Sequence, residues 1–426
     1  MTPIEDHPLR YTLANEIHAR PFPSLSAPST GAFLAIKQES NASSRDREAD
    51  RRHLIQLLDR HGADHPSPGA THYFGKVGRH WLKWESHTEF VTYTAIADGL
   101  GQRAFDPADF DAFPEDWLEE APGVRLTSAL IRIQEEADHD AQASLIEDWF
   151  VSESLAVSSV VDQSCLVATD FRIDPAGHMR FAVFTQPETG ARRIGRVVQR
   201  LCEIETYKAM SMLGFARVQN LGKRLGEIDE ALLRLVEAMS GGPSGSETTL
   251  KELLALSSEL ENLSAKASFR FAATRAYEAI VAQRIEVLRE ERFNGRQTFR
   301  EFMMRRFDPA MRTVRATEQR VKAMSERALR AGDLLRTSVD VDRQAQNQKL
   351  LESMDRRADL QLRLQRTVEG LSVVAISYYA VNLVIYAFGP LAEAAGHSKV
   401  LFAGAVTPLV ILAVWWAVRR IRRSVE

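Results

Sequence analysis

Two runs near the C-terminus constrain this chain most. Residues 371–388 read LSVVAISYYAVNLVIYAF, eighteen positions without a charge, and residues 400–418 read VLFAGAVTPLVILAVWWAV, nineteen more. Crossing ~30 Å of hydrocarbon as a helix takes roughly 20 apolar residues. Both runs are of that length. A buried helical hairpin in a soluble core is the alternative, and the flanks speak against it. Arg356, Arg357, Arg363 and Arg366 precede the first run, and Arg419, Arg420, Arg422 and Arg423 follow the second. The loop between, residues 389–399, carries only Glu393, His397 and Lys399. Basic residues collect on the cytoplasmic side, so both termini are expected inside and the short loop outside. Trp415 and Trp416 stand just before the last arginines, where amphipathic rings favour the interface. Residues 2–17 are polar and contain Pro3 and Pro8, so no signal peptide is expected and the bulk of the chain is placed in the cytoplasm.

At 426 residues the chain is too long for one ordinary core. A formal net charge of -3, from 54 basic and 57 acidic residues, offers no footprint for nucleic acid. The charge is unevenly spread. Residues 1–150 hold 14 Lys+Arg against 25 Asp+Glu, a net of −11, whereas residues 296–366 hold 17 against 10, a net of +7. The basic stretch leads straight into the first apolar run. Two cysteines, Cys165 and Cys202, cannot build a disulfide framework or a four-ligand zinc site, and both read as small buried hydrophobes.

Periodicity divides the remainder. An α+β cytoplasmic domain is expected over residues 1–187, with a mainly antiparallel or mixed sheet. Its strand signals are 31–38, 72–77, 81–85, 90–96, 124–134, 158–173 and 179–185, and helical signals occupy 45–61 and 141–150. Residues 188–308 form a helical region, with a loop at the Gly/Ser/Pro-rich run 241–246. Leu253, Leu256, Leu260 and Leu263 then repeat at 3, 4 and 3. Phe307-Asp308-Pro309 reads as a break, with Asp308 capping a new helix. A long stalk helix is expected from 309 to 370, its seam running through Val314, Thr317, Val321, Met324, Ala328, Ala331, Leu335 and Ser338. That seam calls for partner helices, either from residues 190–306 of the same chain or from other copies. The membrane hairpin and its basic tail complete the chain, over 371–426.

Few residues point to chemistry. The chain lacks a phosphate-binding glycine loop, HExxH, GxSxG and CxxC, so no catalytic residue, metal ligand or cofactor is assigned and no enzyme is expected. Two polar clusters stand out: Glu16, His18 and Arg20 near the N-terminus, and Glu85, His87 and Glu89 between aromatic residues. Burial of the aromatics and local hydrogen-bonded networks are the simpler account of both. On the first membrane run, Ser372, Ala375, Tyr379, Asn382, Tyr386 and Gly389 recur at 3, 4, 3, 4 and 3, a polar and small stripe. Lipid would leave the Asn382 amide unsatisfied, so this stripe is expected to face protein or a watery path.

The stretches NEIHARPF (15–22), WESHTEF (84–90) and RLCEIETYKAMSMLG (200–214), with the two-span terminus, resemble a bacterial family of uncharacterised membrane-anchored proteins, known only as a domain of unknown function. That resemblance covers essentially the full length and implies the inner membrane. The layout is also similar to CorA-type divalent-cation channels, pentamers whose first span lines the pore and ends in Gly-Met-Asn. Here the corresponding region reads Tyr379-Ala380-Val381-Asn382, and further on Phe388-Gly389-Pro390, so the motif is absent. Together these features lead to an expected homo-oligomer in the lipid bilayer that passes or senses cations. A membrane-tethered scaffold recruiting a cytoplasmic partner is the alternative.

Overall fold

The structure, a computed structural model, describes residues 4–11, 13–14, 22–39, 44–240, 246–394 and 398–425. The expected 241–246 loop lies almost wholly outside the described residues. The chain divides into two compact units, Met1–Glu237 with Glu252–Ala331, and Ala238–Lys251 with Gly332–Glu426.

The first unit is built on a nine-stranded mixed sheet. In chain order its elements are β1 (Ser29–Lys37), α1 (Arg47–Asp59), β2 (His72–Val77), β3 (His80–Ser86) and β4 (Phe90–Asp98). After a 3₁₀ turn at Pro107–Ala112 come α2 (Glu115–Glu119), β5 (Val124–Glu135), α3 (His139–Trp149), β6 (Ala156–Val160), β7 (Cys165–Thr169) and β8 (Met179–Thr185). Two long helices follow, α4 (Ala191–Ser240) and α5 (Ser246–Glu286), then β9 (Glu291–Arg292) and α6 (Phe299–Ala394). The strand order is β2-β3-β4-β1-β5-β8-β7-β6-β9, antiparallel throughout except for the parallel pair β5–β8. This is an α+β domain, as the alternation of short strands with few helices implied.

Alternating side chains give the sheet two interior faces. On one, Leu34, Trp84, Tyr93 and Leu130 pack against Leu54 and Leu57 of α1, Trp117 of α2 and Ile146 of α3. His53 is stacked on Trp117 at 3.9 Å and bonds its carbonyl at 2.9 Å, which satisfies a polar ring inside an apolar layer. The other face is covered by α4, whose Ile194, Val198, Leu201 and Cys202 are buried at helical spacing. Gly195 lets the chain at Pro23 lie against this helix, since a Cβ there would stand 1.7 Å from the Pro23 carbonyl oxygen.

Two expectations need correction. The single strand over 158–173 is two strands, because Val161, Asp162 and Gln163 all take positive φ and turn β6 back into β7. The break at Phe307–Pro309 does not occur: α6 starts at Phe299 and runs through Pro309. Its start is set by a capping box, in which Thr298 Oγ1 accepts from the Glu301 amide at 3.2 Å and Glu301 accepts from the Thr298 amide at 3.1 Å. The Glu290 carboxylate accepts from the next two amides, Phe299 at 2.9 Å and Arg300 at 3.0 Å. With the first turn anchored ten residues upstream, Pro309 removes one interior hydrogen bond without ending the helix.

Val314, Val321, Met324, Ala328 and Ala331 of α6 are buried, so the start of the expected seam is satisfied within the chain. Arg224 of α4 binds Glu259 of α5 at 2.6 Å, and Asp229 of α4 binds Arg320 of α6 at 2.9 Å, tying the three helices together.

In the second unit, Leu335 and Val339 are still buried, Val339 taking the place expected for Ser338. From residue 343 to residue 368 every position of α6 is exposed. The helix then continues as the first apolar run, and α7 (Lys399–Val425) carries the second. Both are long and apolar enough to cross a membrane, with mean hydropathies of 1.8 and 2.1 over their most apolar windows.

Candidate functional site

The first candidate region lies between the sheet and α4. Strand alternation sends Leu82 and Trp84 into the core with α1 and α2 and turns Lys83 and Glu85 toward α4. Lys83 lies 3.1 Å from Glu85 and donates to Gln199 of α4 at 2.7 Å. Gln199 donates to Glu203 at 2.8 Å, and Arg284 of α5 pairs with Glu203. A second chain joins Thr127 of β5 to Glu205 at 3.0 Å and Glu205 to Lys208 at 2.5 Å. Buried ions are tolerated here because each is paired and hydrogen-bonded.

Glu89 closes the β3–β4 hairpin onto α5. It is 1 % exposed, pairs with Arg270 and accepts from the Tyr277 hydroxyl at 2.8 Å. Burial, with the Glu89 charge behind it, pushes the Tyr277 phenol up, so it stays a donor at ordinary pH. Lys37, also buried, donates to the Gln38 carbonyl at 2.6 Å, and burial and the nearby Arg270 charge lower its pKa. His87 is stacked on Phe90 at 4.4 Å with Tyr207 edge-on at 6.3 Å. Of the clusters singled out from sequence, Glu85, His87 and Glu89 therefore come together under α4 and α5, while Glu16, His18 and Arg20 lie outside the described residues. Sequence reading missed Arg270 and Tyr277 of α5, which hold Glu89, and Gln199 and Glu203 of α4 with Arg284 of α5, which extend the chain that begins at Lys83.

Lys83, Glu85, His87, Cys202 and Tyr207 border a cavity of about 30 Å³, room for a water or two. Burial drives the Cys202 thiol far up, and Cys165 to about 11, so neither presents a thiolate at neutral pH. Among the described residues, no group of three or more His, Cys, Asp and Glu is placed to hold a metal ion. What this layer does with its charges is fasten helices to sheet.

The second candidate region is the stripe on the first apolar run of α6. Ser372, Ala375, Tyr379 and Tyr386 are exposed, Asn382 is half-buried and Gly389 is buried, where a Cβ would meet the Lys399 side chain at 3.7 Å. Ser377, on the opposite side of the helix, is buried at 7 %. At α7's other end, the Arg419 and Arg420 guanidinium groups lie 4.9 and 5.2 Å from the ring centres of Trp415 and Trp416.

Among curated proteins, none matches the chain. One family model does, that of DUF3422, described as a protein of unknown function, and it matches residues 5–425. With nearly every residue under that match, the chain belongs to the DUF3422 family.

Proposed function

We propose that this protein is a homo-oligomer of the bacterial inner membrane, with both termini in the cytoplasm, that passes or senses cations. The observation that carries this reading is the direction of the stripe. Ala375, Tyr379 and Tyr386 are exposed on the side of the helix away from buried Ser377, while Asn382 is half-buried, Gly389 is buried and Ser372 bonds the Val368 carbonyl at 2.8 Å; the two tyrosine hydroxyls are the groups that support a contact with another copy or with water. The order of sheet domain, long helices, stalk, two spans and basic tail supports a layout similar to that of CorA-type channels. Lacking Gly-Met-Asn, the chain has no basis here for magnesium selectivity, and the reading assigns it no catalysis. Purified protein in liposomes loaded with a cation-sensitive dye is expected to pass monovalent or divalent cations. Tyr379→Leu with Asn382→Leu is expected to abolish that flux. Vesicles as tight as protein-free ones, from a preparation that is oligomeric by mass, would refute ion passage.

A second reading, a membrane-tethered module that recruits a cytoplasmic partner, is supported by one feature. Phe74 of the edge strand β2 and Trp81 of β3 are stacked at 5.5 Å and are 43 % and 40 % exposed. Crosslinking from native membranes that recovers a partner only when both aromatics are intact would favour it over ion passage.

A further inference from the structure

Where the first apolar run begins and the second ends, α6 and α7 of one chain leave an open groove between them. It measures about 560 Å³ and is bordered on α6 by residues from Gln361 to Ile376 and on α7 by Val418 and Ile421. From 361 to 376 the helix rises ~22 Å at ~1.5 Å per residue. The groove therefore straddles the start of the charge-free run at Leu371.

Its lining changes along that length. Val368, Val373, Ile376 and Val418 make the deeper part apolar, while Gln361 and Gln365 bring amide groups to the outer part. Charge collects at the outer part too. Over 361–376 and 418–421 the chain carries four arginines, Arg363, Arg366, Arg419 and Arg420, and one acid, Glu369. Gln365 donates to that acid at 3.2 Å. Arg419 and Arg420 lie over the rings of Trp415 and Trp416, and among the described residues none of the four guanidinium groups is paired with a carboxylate.

We infer that this groove holds an anionic phospholipid, with its acyl chains along the deeper apolar part and its phosphate among the four arginines. Guanidinium groups without a counter-ion call for an anion, and phosphate is the one they bind in bidentate fashion. The apolar part calls for hydrocarbon, and only a lipid carries both on one molecule. Free phosphate would leave the valines uncovered. A second copy inserted in the same direction would bring four more arginines to this level instead of an anion. Basic pockets between membrane helices on the cytoplasmic side bind anionic headgroups for these reasons. The inference rests on reading the two apolar runs as membrane spans, and it stands or falls separately from ion passage.

The test uses the full chain in mild detergent, where the direction of insertion has no influence. Phosphatidylglycerol and phosphatidylcholine with identical acyl chains are titrated against it, and native mass spectrometry counts the lipids retained. Phosphatidylglycerol is expected to be held in preference. Changing Arg363, Arg366, Arg419 and Arg420 to Gln one after another is expected to lower that preference by about fivefold per arginine. Arg336→Gln, further up α6, is expected to leave it unchanged. Val368→Trp with Val418→Trp, which fills the groove and keeps every charge, is expected to abolish retention. Equal retention of the two lipids by unaltered protein would overturn the inference without recourse to any variant. Retention that the arginine changes lower and groove filling does not would mean diffuse attraction to a basic surface, and would overturn it as well. A dimer that groove filling breaks, with no lipid retained, would put a second copy in the groove instead. An intact chain that stays soluble without detergent would remove the membrane reading and this inference with it, whereas selective retention by protein that passes no cation would remove ion passage alone.

Discussion

Glu89 shows how much of the interior is decided by single side chains. Its partners Arg270 and Tyr277 lie 181 and 188 positions away in sequence, which is why WESHTEF revealed a polar cluster and concealed its purpose. Removing one member of a buried ion pair strands the other. Glu89→Gln is expected to cost about 3 kcal/mol, the low end of that range because Arg270 keeps some contact with water. Urea unfolding followed by the intrinsic tryptophan fluorescence, to which the buried Trp84 and Trp117 contribute, checks it. His80 sets a pH dependence. Burial, with Arg79 adding to it, lowers its pKa to about 4, so the folded chain resists a proton that the unfolded chain accepts below ~6.5. Stability is therefore full above that value and is lost as pH falls toward 4. His53 and His178 shift in the same direction by burial and add to the slope. Melting temperatures across that window are expected to fall with acid, and His80→Gln to flatten the curve.

Among elements, the legible ones were those with strong periodicity. Strands β1, β2, β3, β4, β5 and β8, helices α1 and α3 and the long helices follow from alternation and 3.6-residue spacing. The turn between β6 and β7 escaped because Val161 begins it, and a β-branched residue at positive φ advertises strand rather than turn. The start of α6 could have been found from Thr298 and Glu301, whose spacing is that of a capping box. Proline at 309 was the louder signal and the weaker constraint. The stretch RLCEIETYKAMSMLG shows its logic only with the helices assembled. Leu201, Cys202, Glu205, Thr206 and Met210 are buried, and Gly214 lets α4 approach α5, since a Cβ there would lie 2.2 Å from Thr274 Oγ1. Gly214→Ala is expected to destabilise by about 1–3 kcal/mol through overpacking. Thr274→Ala in the same chain is expected to recover part of that loss in thermal melts, and no recovery would point to a different cause.

At the scale of the whole molecule, the apolar runs were readable because length and absence of charge are properties of the sequence alone. Strand order was not, since it depends on which distant segments meet. A chain ending after Arg366 is expected in the soluble fraction of lysed cells while the intact chain sediments with membranes. Equal solubility of the two would end the membrane assignment.

The junction at β9 has a mechanical consequence. Glu291 and Arg292 pair with Ser159 and Ser158 at the last edge of the sheet, and the neighbouring Glu290 holds the amides of Phe299 and Arg300 while accepting from the Ser158 hydroxyl at 2.5 Å. The root of α6 is thus stitched to the hem of the sheet. Torque on that helix cannot spin its first turn freely and must either tug on β6 or rip the two-residue seam loose.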